Sequence, residues 1–285
     1  RPDLSPSMSS ARLLSLLQLS EEIAQGSSRL GAFAYLWFSE NTRHAEARSF
    51  KARVEERLTD LQNRLVFFEL WWQSVDDTNA GRLMADAGDL RYHLETIRRF
   101  QPHTLSEPEE KIINVKNVTG RSAVHTLYDV VTNGLTFTLK VGGKRQTLNR
   151  EGLMVYVRHQ QGSVRQAAYQ ELYRVFSAQR DLLSELYKTL VNDWKAENLG
   201  LRHFSSPVAA RNLGNDVPDE AVDVLLSACA RNADIFQTYF KLKASVLGME
   251  KLRRYDIYAP LATSDREIDY TDAVSSVLET FGRFH

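Results

Sequence analysis

The residues of this sequence with chemistry to offer are seven histidines, one cysteine and two short polar or aromatic clusters. His44, His93, His103, His125, His159, His203 and His285 never stand three or four apart, so no two can share a helical face as the ligands of an HExxH motif do. The sequence offers no local metal motif. Cys229 lies between Ala228 and Ala230 in a helical pattern, which predicts a small buried thiol rather than a nucleophile. His125 and Asp129, four apart, could orient an imidazole for acid-base work, but no nucleophile stands near them and the pair reads as a surface one. Glu109 and Glu110 suit a helix N-terminus better than a pair of catalytic carboxylates. No phosphate-cradling GxGxxG or GxxxxGK motif occurs, and Gly142-Gly143-Lys144 reads as a hairpin tip.

Two clusters point to binding. Arg211-Asn212-Leu213 sets a guanidinium beside an amide, a combination that suits a peptide backbone or carboxylate, with pinning of a loop as the structural alternative. Tyr255, Tyr258 and Pro260 form an aromatic, irregular segment after Gly248 whose hydroxyls could line a groove or simply edge a core. Arg211, Asn212, Tyr255 and Tyr258 are therefore the candidate substrate-binding residues.

The elements that must position them are mostly helical. From Glu46 to Val75 the residues Phe50, Val54, Leu58, Leu61, Leu65, Phe68, Trp72 and Val75 recur at steps of three and four, which predicts one long amphipathic helix. Before it the spacing predicts a leucine-rich helix from Ser10 that stops at Gly26, then a second through Leu30, Ala34 and Trp37. Asp89 opens a short helix that Pro102 stops. Ser106 and Glu109 form a capping box with Pro108 in the first turn, and another helix follows from Ser122 to Gly134. Alternation of Leu135, Phe137, Leu139 and Val141 before Gly142-Gly143 predicts a single β-hairpin. A short helix near Glu151 follows, then a long one from Ser163 to Gly200. Residues 200–217 read as an irregular stretch. Helices from Asp216 to Gly248 and from Thr271 complete a mainly α chain, a multi-helix array with one hairpin.

The chain has 285 residues, with 36 basic and 36 acidic side chains and 43% hydrophobic residues. That content argues for a folded chain of one large or two packed domains. Zero net charge and the lack of a basic patch predict no nucleic-acid or membrane-surface partner. Charged residues interrupt every apolar run, so no membrane span is expected. A single cysteine and an N-terminal RPDLSPSMSS without the plan of a signal peptide predict a cytoplasmic location.

Several segments, taken in order, resemble a known family. They are Pro102-His103-Thr104-Leu105-Ser106-Glu107-Pro108-Glu109-Glu110-Lys111, Thr119-Gly120-Arg121-Ser122, Leu127-Tyr128-Asp129 and Leu135-Thr136-Phe137, followed by Val164-Arg165-Gln166-Ala167-Ala168-Tyr169, Ala210-Arg211-Asn212-Leu213, Tyr255-Asp256-Ile257-Tyr258-Ala259-Pro260-Leu261 and Phe281-Gly282-Arg283-Phe284. The set is similar to the N-terminal region of oligoendopeptidase F, a zinc metallopeptidase family related to thimet oligopeptidase. The resemblance runs from about Leu30 onward. It implies a helical protein with a deep channel that admits short unfolded peptides, of which this chain would form one wall. Residues 1–199 would be a helical N-terminal domain with the hairpin near 135–148, and 200–285 the beginning of the catalytic domain. In the family, zinc is held by HExxH and a later glutamate, after a segment like Phe281-Gly282-Arg283-Phe284. The metal polarises water and the scissile carbonyl while the motif glutamate shuttles the proton. The resemblance thus implies zinc in the complete enzyme and none on this chain, which stops at His285 and also begins later than family members do. The remaining catalytic segment is expected in cis or as a separate chain, and this chain alone is expected to be inactive.

Two other readings stand beside this one. The chain could be a non-catalytic helical peptide- or protein-binding module, or, remotely, a hydrolase using His125 and Asp129. A half of a larger enzyme should expose a broad apolar face, whereas a self-sufficient module should not.

Overall fold

A computed structural model describes residues 4–262 and 268–284. It is mainly helical, as the periodicity requires. Helix α1 (Ser10–Glu40) is capped by the Ser9 side chain, and α2 (Ala45–Ser74) by the His44 ring. Then come α3 (Asp77–Ala85), α4 (Arg91–Arg99), α5 (Glu107–Thr119) and α6 (Arg121–Asn133). Strands β1 (Phe137–Val141) and β2 (Lys144–Leu148) pair antiparallel and are followed by α7 (Arg150–Tyr156), α8 (Gly162–Ala178) and α9 (Arg180–Trp194). A π-helical stretch, Lys195–Leu201, leads to α10 (Pro207–Gly214), α11 (Asp219–Arg231), α12 (Ala233–Val246) and α13 (Tyr270–Phe284).

Four expectations are corrected. The two helices expected before Glu46 are one, because Gly26 does not take up the left-handed geometry of a helix stop. A helical glycine costs only about 1 kcal/mol, which a helix of this length absorbs. The long pattern from Ser163 breaks at Gln179, whose backbone leaves helical geometry between α8 and α9. The irregular stretch of residues 200–217 contains α10, with Ser206 accepting the Ala209 N–H at 3.1 Å. Cys229 is exposed, not buried. Its neighbours Leu225 and Leu226 are exposed as well, so α11 turns none of its apolar residues fully inward.

The contacts gather into two units, one of residues up to 136 with 175–231, the other of residues 137–174 with those from 232 on. The core of the first unit surrounds Trp72, with Leu13, Leu17, Leu83, Leu94 and Ile97. Trp72 is fully buried, so its indole N–H must have an acceptor, and it donates to the Leu94 carbonyl at 2.8 Å. Arg98 donates to the Trp72 and Val75 carbonyls at 3.0 and 2.7 Å, closing the C-terminal turn of α2. From there α1 and α5 pack along α2, α6 on α5, and α9 on α6.

The capping box before α5 forms as its residues dictate. Glu109 accepts from the Ser106 N–H at 2.9 Å and from its hydroxyl at 2.6 Å. Next to it the buried Glu110 is gripped by Arg202 through two bonds of 2.7 and 2.9 Å. Arg202 also meets Glu197 at 3.0 Å, and Glu197 in turn pairs with Arg121, which binds Asp193 at 2.9 Å. This chain of charges ties α5 and α6 to the end of α9 and the π-helical stretch.

In the second unit the alternation of β1 buries Phe137 and Leu139. Gly142 and Gly143 have φ of 56° and 80°, the left-handed pair that a two-residue hairpin turn demands. Glu171 of α8 accepts the outward Thr138 N–H at 2.8 Å and so satisfies the edge of β1.

Burial alone would push the Glu110 carboxyl up, but the Arg202 guanidinium and the Leu105 N–H outweigh it and hold the carboxyl below its ordinary value of 4.5. A carboxyl depressed in the folded state adds stability above pH 4.5 and loses it as the pH falls through the folded value. Glu110→Gln is therefore expected to lower stability at pH 7 by about 1–3 kcal/mol. The gap should narrow below pH 4.5, as read from urea midpoints at several pH values.

Candidate functional site

Two of the four candidate residues lie in the second unit, on the segment between α12 and α13. Its placement depends on Asp256, which is completely buried. A carboxylate there needs a counter-charge, and Arg165 of α8, itself 2% exposed, supplies it at 2.7 Å through Nη2 and 3.3 Å through Nε. The other terminal nitrogen of Arg165 donates to the His159 and Gln160 carbonyls, each at 2.7 Å. One guanidinium thus fixes the turn before α8 and the Asp256 turn together. The second oxygen of Asp256 accepts the Arg253 N–H at 3.3 Å. Lys243 of α12, also buried, donates to the Ile257 carbonyl at 2.7 Å.

A segment held by two buried cations can present side chains in fixed positions. Tyr255 is half-buried, its ring centroid 6.0 Å from that of Tyr169, which stands 4.7 Å from Tyr173. Arg253 donates to the Tyr255 hydroxyl at 2.7 Å. Tyr258 is 52% exposed, and its hydroxyl makes no hydrogen bond among the described residues. Neither tyrosine is a core residue. Both stand where a ligand could reach them, and Tyr258 has a donor and acceptor to give.

Arg211 and Asn212 lie in the first unit, on α10, and they divide the tasks the sequence left open. Asn212 is buried, and its amide donates to Asp219 at 2.8 Å while its carbonyl accepts the Val217 N–H at 2.9 Å. It pins the turn between α10 and α11. In that turn Asp216 takes a left-handed φ of 56°, stabilised by Arg99 at 2.6 Å and by the Tyr92 hydroxyl, which donates to it. Arg211, about 100° further round the helix, is exposed and makes no side-chain bond among the described residues. It is the member of the pair able to meet an anion. Beside α10 a recess of about 400 Å³ is lined by Arg99, His103, Phe204, Leu213 and Asp219, with the His103 ring stacked on Phe204 at 3.6 Å. The four candidates thus fall two in each unit.

The remaining chemistry is dispersed. His125 is exposed, Asp129 is half-buried and the two are not hydrogen-bonded to each other, and the ring of His44 is spent on capping α2. His285 lies outside the described residues. Among the described residues no three His, Cys, Asp or Glu side chains converge as a metal ion would require, so no step of a metal-dependent reaction is assigned to them. No helix among them is long and apolar enough to cross a membrane. Sequence reasoning missed Arg165, Asp256 and Lys243, the residues that build the tyrosine segment. The first two stood inside matching motifs, but the partner of each lies far along the chain.

Comparisons with known proteins bear on this geometry. A family model described as Oligopeptidase F matches residues 71–137. Group B oligopeptidase PepB of Streptococcus agalactiae is 22% identical over 97% of this chain, and an oligoendopeptidase F homolog of Lactococcus lactis is 24% identical over 96%. The chain spans about half of each, 47% in both cases. The crystal structure of oligoendopeptidase-F from Enterococcus faecium superposes with a TM-score of 0.77 at 19% identity, covering 90% of this chain and 52% of that one. The fold is therefore that of oligoendopeptidases, and the chain resembles the N-terminal part of oligoendopeptidase F.

Asp256→Ala would leave Arg165 buried without its counter-ion, and is expected to cost about 3–5 kcal/mol. Replacing both charges, with Arg165→Met and Asp256→Leu, should recover part of that loss but not all, because the His159 and Gln160 carbonyls lose their donor. Urea denaturation of the three variants checks the order.

Proposed function

We propose that this chain is a portion of a zinc-dependent oligopeptidase that hydrolyses internal bonds of short peptides in the cytoplasm. The zinc and its ligands belong to a catalytic segment supplied in cis or as a separate chain. The metal would supply Lewis-acid activation of water and the carbonyl. This chain would form one wall of a peptide channel, where Arg211 meets a carboxylate, Tyr255 and Tyr258 meet the peptide backbone, and Asn212 supports Arg211 from within α10.

The observation that carries the reading is apolar exposure late in the chain. On α11 Val224, Leu225 and Leu226 are each more than 60% exposed, and on α13 Val277, Leu278 and Phe281 equally so. On α12 Ile235, Phe236 and Leu242 are exposed as well. Apolar helix faces of this kind mark surfaces that meet other protein or ligand. Relatives of roughly twice the length, named oligopeptidases, agree with a further protein layer.

The test pairs this chain with a catalytic half, such as that of the Enterococcus faecium homologue, and follows cleavage of an internally quenched peptide of about eight residues. The expected result is chelator-sensitive cleavage by the pair and none by this chain alone. Tyr258→Ala and Arg211→Ala should each raise KM several-fold with a smaller effect on kcat. Near-stoichiometric zinc and chelator-sensitive turnover from this chain alone would overturn the division of labour. Tight peptide binding that never leads to cleavage in the pair would instead favour a non-catalytic helical binding module, for which the fixed, hydroxyl-bearing tyrosine segment is also suited.

A further inference from the structure

The outer face of the hairpin carries an arrangement that the peptidase reading does not use. In the register of β1 and β2, Lys140 stands directly opposite Arg145. Like charges in that position destabilise a strand pair, and most other side chains would serve the hairpin better. Both residues are exposed, and neither makes a hydrogen bond or ion pair among the described residues. They line a recess of about 460 Å³ together with Thr138, Glu171 and Arg174.

The single carboxylate there is already committed. Glu171 receives Arg174 through two bonds of 2.6 and 2.8 Å and the Thr138 N–H at 2.8 Å. The hydrogen bond from Arg174 above all holds its carboxyl below the usual range, and the charge of Arg145 acts on it only from a distance. Three cations therefore face one carboxylate whose oxygens are occupied. The Thr138 hydroxyl makes no hydrogen bond among the described residues and is free to donate. Phe137 and Leu139 on the opposite face of β1 are buried, so the strand cannot turn to relieve the repulsion.

We infer that this recess binds a multivalent oxyanion, a phosphoryl group in a ligand at least the size of pyrophosphate, held by Lys140, Arg145 and the Thr138 hydroxyl. Bound there, the anion relieves the cross-strand repulsion. A guanidinium beside an ammonium and a hydroxyl matches phosphate oxygens in both charge and donor geometry. The recess is larger than a single phosphate needs, which favours a diphosphate or a phosphorylated small molecule.

The test uses thermal unfolding and calorimetric titration with inorganic phosphate, pyrophosphate and a nucleoside triphosphate, each against sodium chloride of equal ionic strength. Pyrophosphate is expected to bind saturably and to raise Tm by about 2–4 °C beyond the chloride control. Lys140→Gln and Arg145→Gln should each weaken binding at least tenfold, whereas Arg64→Gln on α2 should leave it unchanged. Tighter binding of the nucleotide than of pyrophosphate would identify a phosphorylated metabolite as the source, and the reverse order a free inorganic anion. Lys140→Glu supplies a readout that does not depend on the ligand. It turns the pair into an attractive one, so Tm without anion should rise by about 1–3 °C while the pyrophosphate response disappears. A response equalled by chloride, one retained in both glutamine variants, or a lower Tm for Lys140→Glu without ligand would overturn the site.

Discussion

Guanidinium groups withdrawn from water, Arg165 fully and Arg202 in part, set the constraint under which both units are built. A guanidinium removed from water needs a carboxylate and enough acceptors for its remaining N–H groups, or its desolvation costs several kcal/mol. Arg165 meets that demand with Asp256 and two carbonyls, and Arg202 meets it with Glu110, Glu197 and the His103 carbonyl. In each case one carboxylate partner, Asp256 or Glu110, lies about ninety residues away along the chain, so satisfying one charge fixes the relative position of two distant segments. The planar fork of arginine makes this possible. A lysine at either place could carry the charge but could not serve three such acceptors in one plane. Lys243, which has a single carbonyl partner at Ile257, shows the lesser role that suits an ammonium.

What these clamps position differs between the units. Arg202 and Arg121 brace helices that also lie against one another, α5 on α6 and α6 on α9, and their work there is to fix register. Arg165 and Lys243 act on an irregular segment with little apolar burial of its own beyond Ala259. Without them little would fix the backbone that carries Tyr255 and Tyr258, because a short 3₁₀ turn at Arg254–Asp256 is the segment's only regular structure among the described residues. Spending two buried cations on a loop that presents tyrosines is easier to reconcile with a binding surface than with a connector.

The parts of the structure that local physics decides could be read from the residues. The capping box at Ser106 and Glu109 needs only four neighbouring residues, and the hairpin needs an apolar alternation and two glycines able to take positive φ. Both form as their spacing dictates. The stripe of α2 was equally legible, since a period of three to four over thirty residues leaves no other geometry. Gly26 misled because glycine can end a helix only if the chain beyond it turns away, and residues 27–40 continue the helical pattern instead. The break at Gln179 carries no glycine or proline, so no local residue announces it. The role of Arg165 was hidden for a different reason. Its sequence neighbours show a cation on a helix, and only the folded chain shows that the carboxylate of Asp256 lies within 2.7 Å.

Burial is distributed unevenly along the chain, and the helices themselves show why that matters. α11 and α13, of 13 and 15 residues, contain no fully buried residue, although α13 repeats Val274, Val277, Leu278 and Phe281 at the spacing of an apolar stripe. Isolated helices of that length are marginal in water, and most of their stability in proteins comes from packing an amphipathic face. On that stripe Val277, Leu278 and Phe281 are each more than 60% exposed. By contrast, the shell around Trp72 is complete within residues 8–97. The early helices owe their packing to one another, while the later ones carry exposed apolar residues suited to a further layer of protein.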